Sequence, residues 1–202
     1  MRKFFYLCLP LLLLSCTKVD KNNDQTDNMK DAVLENILTR KSVRQFTDEP
    51  VDKADVDAIL RAAFAAPSAV NKQPWEMMVI TERQLLDSIG SQLPNTRVSN
   101  NVQIAFVVCG DMNNRLPEPI QDFWVQDCSA MTENLLLAAH ALGLGAVWCG
   151  IYPDPVKVEK LQTILSLPQH IVPLCVVPVG HKAEDPEPKD KWNENKIHYN
   201  VF

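Results

Sequence analysis

The stretch Pro67-Ser68-Ala69-Val70-Asn71-Lys72-Gln73-Pro74-Trp75 is the most informative part of the sequence for the fold. It joins a predicted helix to a predicted strand, and its two prolines restrict the backbone at both ends. Between the prolines, Ser68, Asn71 and Gln73 are presented by a short loop. Amide side chains both donate and accept hydrogen bonds, so they suit the edge of a heteroaromatic ring. The same residues are common in turns for local backbone reasons, so the loop alone leaves both interpretations open.

Apolar periodicity predicts a mixture of helices and strands on both sides of this loop. Helices are predicted over Asp31–Arg40, from Asp52 until Pro67, over Glu82–Leu93, from about Phe123 to Leu142 and from Asp154 to about Leu165. Strands are predicted over Trp75–Thr81, Val102–Cys109, Ala146–Cys149 and Val172–Val179. Neither a strict β-α-β rhythm nor the G-x-G-x-x-G fingerprint of a doubly wound nucleotide fold is present. The sequence therefore predicts one α+β domain over residues 31–202.

Length and composition agree with a single soluble domain. A chain of 202 residues with 46% hydrophobic and 22% charged residues is ordinary for a globular protein, which excludes disordered, collagenous and coiled-coil classes. The 20 Lys and Arg against 25 Asp and Glu give a net charge of −5. No broad basic field is available to neutralise a nucleic-acid backbone, so we expect no nucleic-acid partner.

The N-terminus is typical of an export signal. Met1-Arg2-Lys3 is followed by an apolar run from Phe4 to Leu14, the pattern of a secretory signal peptide. The run is too short for a transmembrane helix, which needs ~20 apolar residues. Its end, Leu13-Leu14-Ser15-Cys16, resembles the bacterial lipoprotein box, which predicts removal of residues 1–15 and lipidation of Cys16. An ordinary cleaved signal peptide with an incidental cysteine is the alternative.

The segment that follows is polar and predicts a tether. Residues from Thr17 to about Lys30 contain almost nothing apolar, so we expect residues 16–30 to form a flexible connection to the folded domain. An acyl anchor with a polar tether would hold the domain at a membrane surface without embedding it. We therefore expect an exported protein of the bacterial cell envelope that meets the membrane only through its lipid.

Two other segments are candidates for ligand binding. Arg40-Lys41-Ser42-Val43-Arg44 places three cations and a hydroxyl just past a helix, a combination that suits phosphate oxygens. A basic helix C-terminus that complements the helix dipole would look the same. Gly143-Leu144-Gly145-Ala146-Val147-Trp148-Cys149-Gly150 contains glycines that let the backbone approach another group closely. A helix stop followed by a tight turn is the simpler interpretation.

Together and in this order, the three segments resemble the FMN-dependent nitroreductase family. The pattern R-[RK]-S-[VI]-R-x-[FY], P-S-x-x-N-x-Q-P-W, G-L-G-x-x-W-x-G and a basic tail is reproduced from Arg40 to about Phe202. Pro67–Trp75 is the most specific part of the match. The resemblance implies the nitroreductase fold, a central and mainly antiparallel sheet flanked by helices, in an intertwined homodimer.

The resemblance also implies which residues bind FMN. The phosphate, ribityl chain and ring edge would be held by Arg40, Lys41, Ser42 and Arg44, and the phosphate also by Lys191. The flavin would be lined from the other subunit by Pro67, Ser68, Ala69 and Asn71, with Gln73 close by. The isoalloxazine would lie along the backbone of Val147, Trp148, Cys149 and Gly150. Two positions depart from the family pattern. Lys191 stands where many members carry an arginine, so the positive charge is kept but the paired N–H donors of a guanidinium group are lost. Ile151 follows Gly150 where many members have a second glycine.

In this family the chemistry belongs to FMN, so the sequence nominates no catalytic protein residue. The resemblance implies that NADH or NADPH reduces the flavin, which then reduces a small acceptor such as a nitroaromatic or a quinone in a ping-pong cycle. Soluble NAD(P)H is not expected outside the cytoplasm, so two alternatives stay open. One is a related flavin enzyme that performs reductive dehalogenation or consumes its flavin; the other is a non-catalytic flavin-binding envelope lipoprotein.

Histidines and cysteines predict no metal site. The four histidines show no metal-type spacing among themselves or with cysteines. Cys109, Cys128, Cys149 and Cys175 lie in predicted strands or a helix, where buried free thiols are ordinary. No C-x-x-C motif occurs, and the spacing leaves it open whether any of these four residues pair.

Overall fold

A computed structural model gives the fold of the chain and describes residues 21–98 and 101–202. The predicted signal peptide, the predicted lipid site Cys16 and the first residues of the predicted tether lie outside the described residues. The chain divides into a short unit that ends at Leu34 and a large unit, Glu35–Phe202, to which the features below belong unless stated. Within the described part of the chain, no helix combines the length and the apolar character needed to cross a bilayer.

Five α-helices are formed within the described residues: α1 (Lys21–Thr39), α2 (Lys53–Phe64), α3 (Arg83–Gln92), α4 (Phe123–Ala141) and α5 (Pro155–Leu165). The start of α5 follows from its sequence, because Asp154 Oδ1 accepts hydrogen bonds from the backbone N–H groups of Val156 and Lys157 at 3.0 and 3.3 Å. Pro155 then occupies the first helical position, where its missing N–H is not needed.

Helix α1 begins ten residues earlier than the sequence predicts. Its first residue is Lys21 rather than Asp31, so residues 21–30 of the predicted tether are helical in the structure. Those ten residues contain neither glycine nor proline, and nothing in their backbone stops a helix that propagates from the apolar positions after Asp31. Residues 28–35 are all exposed. The flexibility of the tether stays a prediction.

The strands form one sheet. Its members are β1 (Trp75–Ile80), β2 (Ile104–Asp111), β3 (Gly145–Ala146), β4 (Cys149–Gly150) and β5 (Ile171–Gly180). Their order is β1-β2-β5-β3, β4 also pairs with β5, and each of these pairings is antiparallel. The predicted strand Ala146–Cys149 is replaced by two short strands, because Val147 and Trp148 interrupt the pairing. The expectation of an antiparallel sheet is confirmed.

Helices cover both faces of this sheet, as predicted. Side chains alternate along β2, so Phe106 and Val108 pack on one face while Val107 and Cys109 pack on the other. The first face is covered by α2 and α4, with Ile59, Ala63, Trp124, Met131 and Leu135 in the core. The second face is covered by α3 and α5, with Leu86, Ile89, Leu161 and Leu165 in the core. The end of α1, next to the candidate site, is held against α4, because Asn36 Nδ2 donates to the carbonyl of Leu137 at 3.1 Å.

Candidate functional site

The loop after α1 is anchored by two buried residues, Val43 and Phe46, and presents its polar residues at the surface. The backbone N–H of Val43 donates to the carbonyl of Ala146 in β3 at 3.0 Å, and the Val43 side chain is buried. A Cβ on Gly145 would meet Val43 Cγ1 at 2.7 Å, so the close approach of this loop to β3 requires glycine there. Phe46, also buried, pairs with Lys182 in an isolated bridge. The polar residues between these anchors remain at the surface.

Those polar residues line one open cavity of about 260 Å³ at the end of α1. Its lining consists of Arg40, Lys41, Ser42, Arg44, Pro186, Glu187, Lys189 and Lys191. The structure therefore brings the predicted cations of residues 40–44 together with Lys191 from the tail. Lys189 was missed by the motif comparison, although the Lys189-x-Lys191 pattern in an otherwise irregular tail was available as a signal. Five cations and one carboxylate around a cavity of this size suit an anion with several oxygens.

Carboxylates behind the cavity orient two of these cations. Arg40 Nε lies 3.1 Å from Glu133 Oε1 on α4, which leaves the four N–H groups on its terminal nitrogens as further donors. Lys41 Nζ lies 3.0 Å from Asp185 Oδ1, and Lys182 Nζ lies 3.1 Å from the same oxygen. Hydrogen bonds from these two lysines lower the pKa of Asp185. Arg40 and Lys41 are thus held in position by ion pairs.

His140 on α4 lies next to this cluster. Its Nε2 is 3.0 Å from Thr39 Oγ1 at the end of α1. Burial lowers the pKa of His140 below its ordinary value, and the positive charges of Lys182, Lys41 and Arg40 lower it further, against an opposing effect of Asp185. The imidazole therefore favours its neutral form beside the cations.

The loop that opened the sequence analysis borders a different cavity. Pro67, Ser68 and Ala69 line a cleft of about 310 Å³ together with Phe123, Gln126, Asp127 and Ala130. Gln73 closes the loop on itself, since its backbone N–H donates to Ser68 Oγ at 3.0 Å and its Nε2 donates to Asn71 Oδ1 at 3.0 Å. Asn71 and Gln73 are exposed and are not part of the cation-lined cavity.

The glycine-containing segment 147–150 lies in a third place. Val147 is buried, Trp148 is half-buried, and the Cys149 thiol donates to the carbonyl of Thr96 at 3.0 Å. Gly150 is exposed and lines a cavity of about 220 Å³ between residues 92–96 and the start of α5. A Cβ on Gly150 would meet nothing within 4 Å. The missing side chain therefore leaves open space over the backbone, which suits a flat ligand lying along it.

All four cysteines in the described residues are buried free thiols. Burial raises the pKa of Cys109 and Cys175 to about 12, and raises that of Cys128 further. Burial also raises the pKa of Cys149 to about 11, although Arg97 and Arg44 oppose it. Thiolate, the reactive form, is strongly disfavoured at all four positions. Within the same residues, no three His, Cys, Asp or Glu side chains are close enough together to hold a metal ion.

The α+β fold and the cation-lined cavity at the end of α1 are the features expected of a protein that binds a phosphate-bearing ligand. Residues 37–181 match the model of the Nitroreductase family. With a family match over most of its length, the chain belongs to the nitroreductase family.

Individual relatives agree with this assignment. A protein of Methanothermobacter thermautotrophicus, provisionally named NADH dehydrogenase/NAD(P)H nitroreductase, is 42% identical over 166 residues, covering 82% of this chain and 85% of its own. The oxygen-insensitive NADPH nitroreductase of Salmonella typhimurium is 32% identical over 182 residues, covering 84% of this chain and 74% of its own. A crystal structure from Parabacteroides distasonis, under the same provisional name as the first relative, has a TM-score of 0.79 at 44% identity, with 84% of this chain and 98% of that chain covered.

Proposed function

We propose that the protein is an FMN-dependent oxidoreductase that transfers reducing equivalents from NAD(P)H to a small acceptor such as a nitroaromatic or a quinone. The observation that carries this proposal is the cavity that gathers Arg40, Lys41, Ser42, Arg44 and Lys191. Its donor set fits the phosphate of FMN. Relatives named as NAD(P)H nitroreductases and as FMN reductases support the same donor and cofactor.

FMN, when bound, supplies hydride and electron transfer; the chain supplies placement and charge. Arg40, held by Glu133, and Lys191 would bind the phosphate, and Ser42 would donate a hydrogen bond beside them. Arg44 lines the same cavity, and its Nη1 donates to the carbonyl of Ser42 at 3.3 Å. Its guanidinium would stabilise negative charge on the flavin ring. The open backbone at Gly150 accommodates the ring face.

The complete site requires two copies of the chain. Pro67, Ser68, Ala69, Asn71 and Gln73 lie apart from the cation-lined cavity within one chain, which agrees with the family arrangement in which they reach the flavin from the partner subunit. Large apolar side chains are exposed near both ends of the Glu35–Phe202 unit, including Leu38 and Trp192. We therefore include a homodimer in the proposal.

Export and lipidation are part of the proposal on the strength of residues 1–16 alone. A radioactive fatty acid should label the protein produced in bacteria, and Cys16→Ser should abolish the label. Labelling that persists in Cys16→Ser would exclude Cys16 as the lipid site. Soluble NAD(P)H is not expected outside the cytoplasm, so NADH and NADPH are each added as donors in the test below.

The main test of function is spectroscopic. The purified protein should be yellow or become yellow with FMN, and anaerobic NADH or NADPH should bleach it. A yellow protein that no donor bleaches would favour the dehalogenase, flavin-consuming or non-catalytic alternatives. A colourless protein that cannot be loaded with FMN would refute the cofactor.

Variants localise the binding site. Arg40→Ala together with Arg44→Ala removes two cations from the cavity and should abolish FMN retention during gel filtration. Cys128→Ala, on the buried face of α4, is the control and should retain FMN as the wild type does. Equal retention by the double variant and the control would remove the cavity from the proposal.

A further inference from the structure

The carboxylate of Asp127 has no role in the function proposed above, yet it is buried. Asp127 lies on α4 and is 4% exposed. Its Oδ1 accepts a hydrogen bond from the backbone N–H of Ala69 at 2.8 Å, while Oδ2 is buried with no hydrogen-bond partner among the described residues. Burial of a partly satisfied carboxylate costs free energy. Stability alone therefore does not explain the presence of Asp127.

The residue that Asp127 holds begins a strained loop. Val70, Asn71 and Gln73 have φ values of 48°, 57° and 51°, in the left-handed region. A β-branched residue such as Val70 is especially unfavourable there. Such conformations persist only where the surrounding structure constrains them strongly.

Asp127 provides this constraint from outside the loop. The hydrogen bonds from Gln73 to Ser68 and Asn71 are internal to it. In the part of the chain that the structure describes, the Ala69–Asp127 bond ties residues 67–71 to α4, while Asn114 Nδ2 holds the far end of the loop through the carbonyls of Lys72 and Gln73 at 3.4 and 3.2 Å. Asp127 itself is fixed, because its neighbours Trp124 and Cys128 on α4 belong to the core.

We propose that Asp127 is a positioning residue for the flavin. Through the N–H of Ala69 it fixes the loop conformation in which Ser68 and Asn71 contact the isoalloxazine ring. This inference rests on the proposed function, since FMN is the ligand assigned to the loop. Asp127 acts through Ala69 and is not a catalytic residue.

Titration of the full chain with FMN and with riboflavin tests the proposal. Asp127→Ala should lower the affinity for both flavins by the same factor, because the loop contacts the ring that both ligands share. For a lost charge-assisted hydrogen bond we expect this factor to be about tenfold. Asp127→Asn retains an Oδ1 acceptor and should bind both within about threefold of the wild type. The visible circular dichroism of saturated flavin should change in Asp127→Ala and be preserved in Asp127→Asn.

Two control variants separate positioning from general stability and from phosphate binding. Asn134 lies on the same helix and donates from Nδ2 to the carbonyl of Ala62 in α2 at 3.0 Å. Asn134→Ala removes a comparable bond away from the loop and should leave both affinities unchanged. Lys191→Ala should lower the affinity for FMN and leave the affinity for riboflavin unchanged, because riboflavin has no phosphate.

A donor-side variant covers the case in which Asp127→Ala does not fold. Ala69→Pro removes the N–H that Asp127 accepts. Ser68 has φ −137° and ψ 156°, a conformation that a following proline favours. Ala69→Pro should also lower the affinities for FMN and riboflavin by the same factor.

The outcomes are distinct. The proposal is overturned if Asp127→Ala, or Ala69→Pro in its place, binds both flavins with wild-type affinity. It is overturned equally if the variant loses affinity for FMN alone. It is also overturned if Asp127→Asn loses as much affinity as Asp127→Ala. A wild-type protein that binds neither flavin would instead refute the proposed function.

Discussion

Val70 adopts a backbone conformation that its side chain disfavours. Its φ and ψ are 48° and 28°. Its side chain is 82% exposed, so few packing contacts offset the conformational strain. Glycine has no Cβ and occupies this region readily. We expect Val70→Gly to raise the free energy of unfolding of the apoprotein by roughly 0.5–1 kcal/mol, after allowance for the extra entropy of glycine in the unfolded chain. Urea denaturation measures this difference.

The matched control is a valine in ordinary extended backbone. Val79 lies in β1 and is 37% exposed, so Val79→Gly should lower the free energy of unfolding by roughly 0.5–1 kcal/mol. Opposite signs for the two substitutions are the expected result. A loss of stability in both would show that the left-handed conformation of Val70 carries no strain.

At the scale of elements, the junction of α1 and α4 should respond to pH through His140. Its folded pKa lies below the ordinary value of 6.5, through burial first and then the charges of Lys182, Lys41 and Arg40. Between the two pKa values the unfolded chain binds more protons, so this contribution to stability is complete above pH 6.5 and is lost as the pH falls through the folded pKa. We expect His140→Gln to lose less stability than the wild type between pH 7.5 and pH 5, measured by urea denaturation.

A second variant identifies the cause of this pH dependence. Lys182→Met removes one of the charges that lower the pKa of His140, so its loss of stability over the same range should fall between those of the wild type and His140→Gln. Asp185 does not interfere, because its pKa is lowered from 3.8 and it titrates below this window. Equal slopes in the wild type and His140→Gln would contradict the assignment.

Elements with local start and stop signals are predictable from the sequence. Asp154-Pro155 fixes the start of α5, and Gly143, with φ 78°, follows α4 directly. Helix α1 lacks such a signal, and its start is misplaced by ten residues. Strands β3 and β4 are too short for periodicity to separate. The helical period places Phe64 on the same face as Ile59 and Ala63, yet Phe64 is exposed, because periodicity identifies an apolar face and not what covers it.

The site is predictable only where a motif is contiguous. Residues 40–44 and 67–73 were recognised as segments, and the tail cation Lys191 was recognised by its place in the family pattern. The carboxylates that hold these residues in place are not recognisable from the sequence. Glu133 beside Arg40, Asp185 beside Lys41 and Asp127 beside Ala69 are each distant in sequence, so these contacts depend on the packing of α4 and the tail.

At the scale of the whole molecule, exposed aromatic side chains in the tail indicate a surface that a single chain leaves uncovered. Trp192, Tyr199 and Phe202 are all exposed, and Tyr199 is 82% exposed. Isolated apolar residues are normal on a surface, but several aromatic residues within one short segment are typical of an interface. The proposed dimer would bury them.

Replacement of Tyr199 and Phe202 by serine should therefore weaken the dimer. Aromatic residues dominate interface energetics, so we expect the double variant to raise the dimer dissociation constant at least about tenfold, measured by sedimentation velocity. FMN affinity should fall with it, since residues 67–71 are proposed to reach the flavin from the partner. Val79, an exposed apolar residue on β1, provides the control, and Val79→Ser should change neither quantity. A double variant that stays dimeric would exclude the tail as the interface, and a monomeric variant that binds FMN as tightly as the wild type would show that one chain holds the complete site.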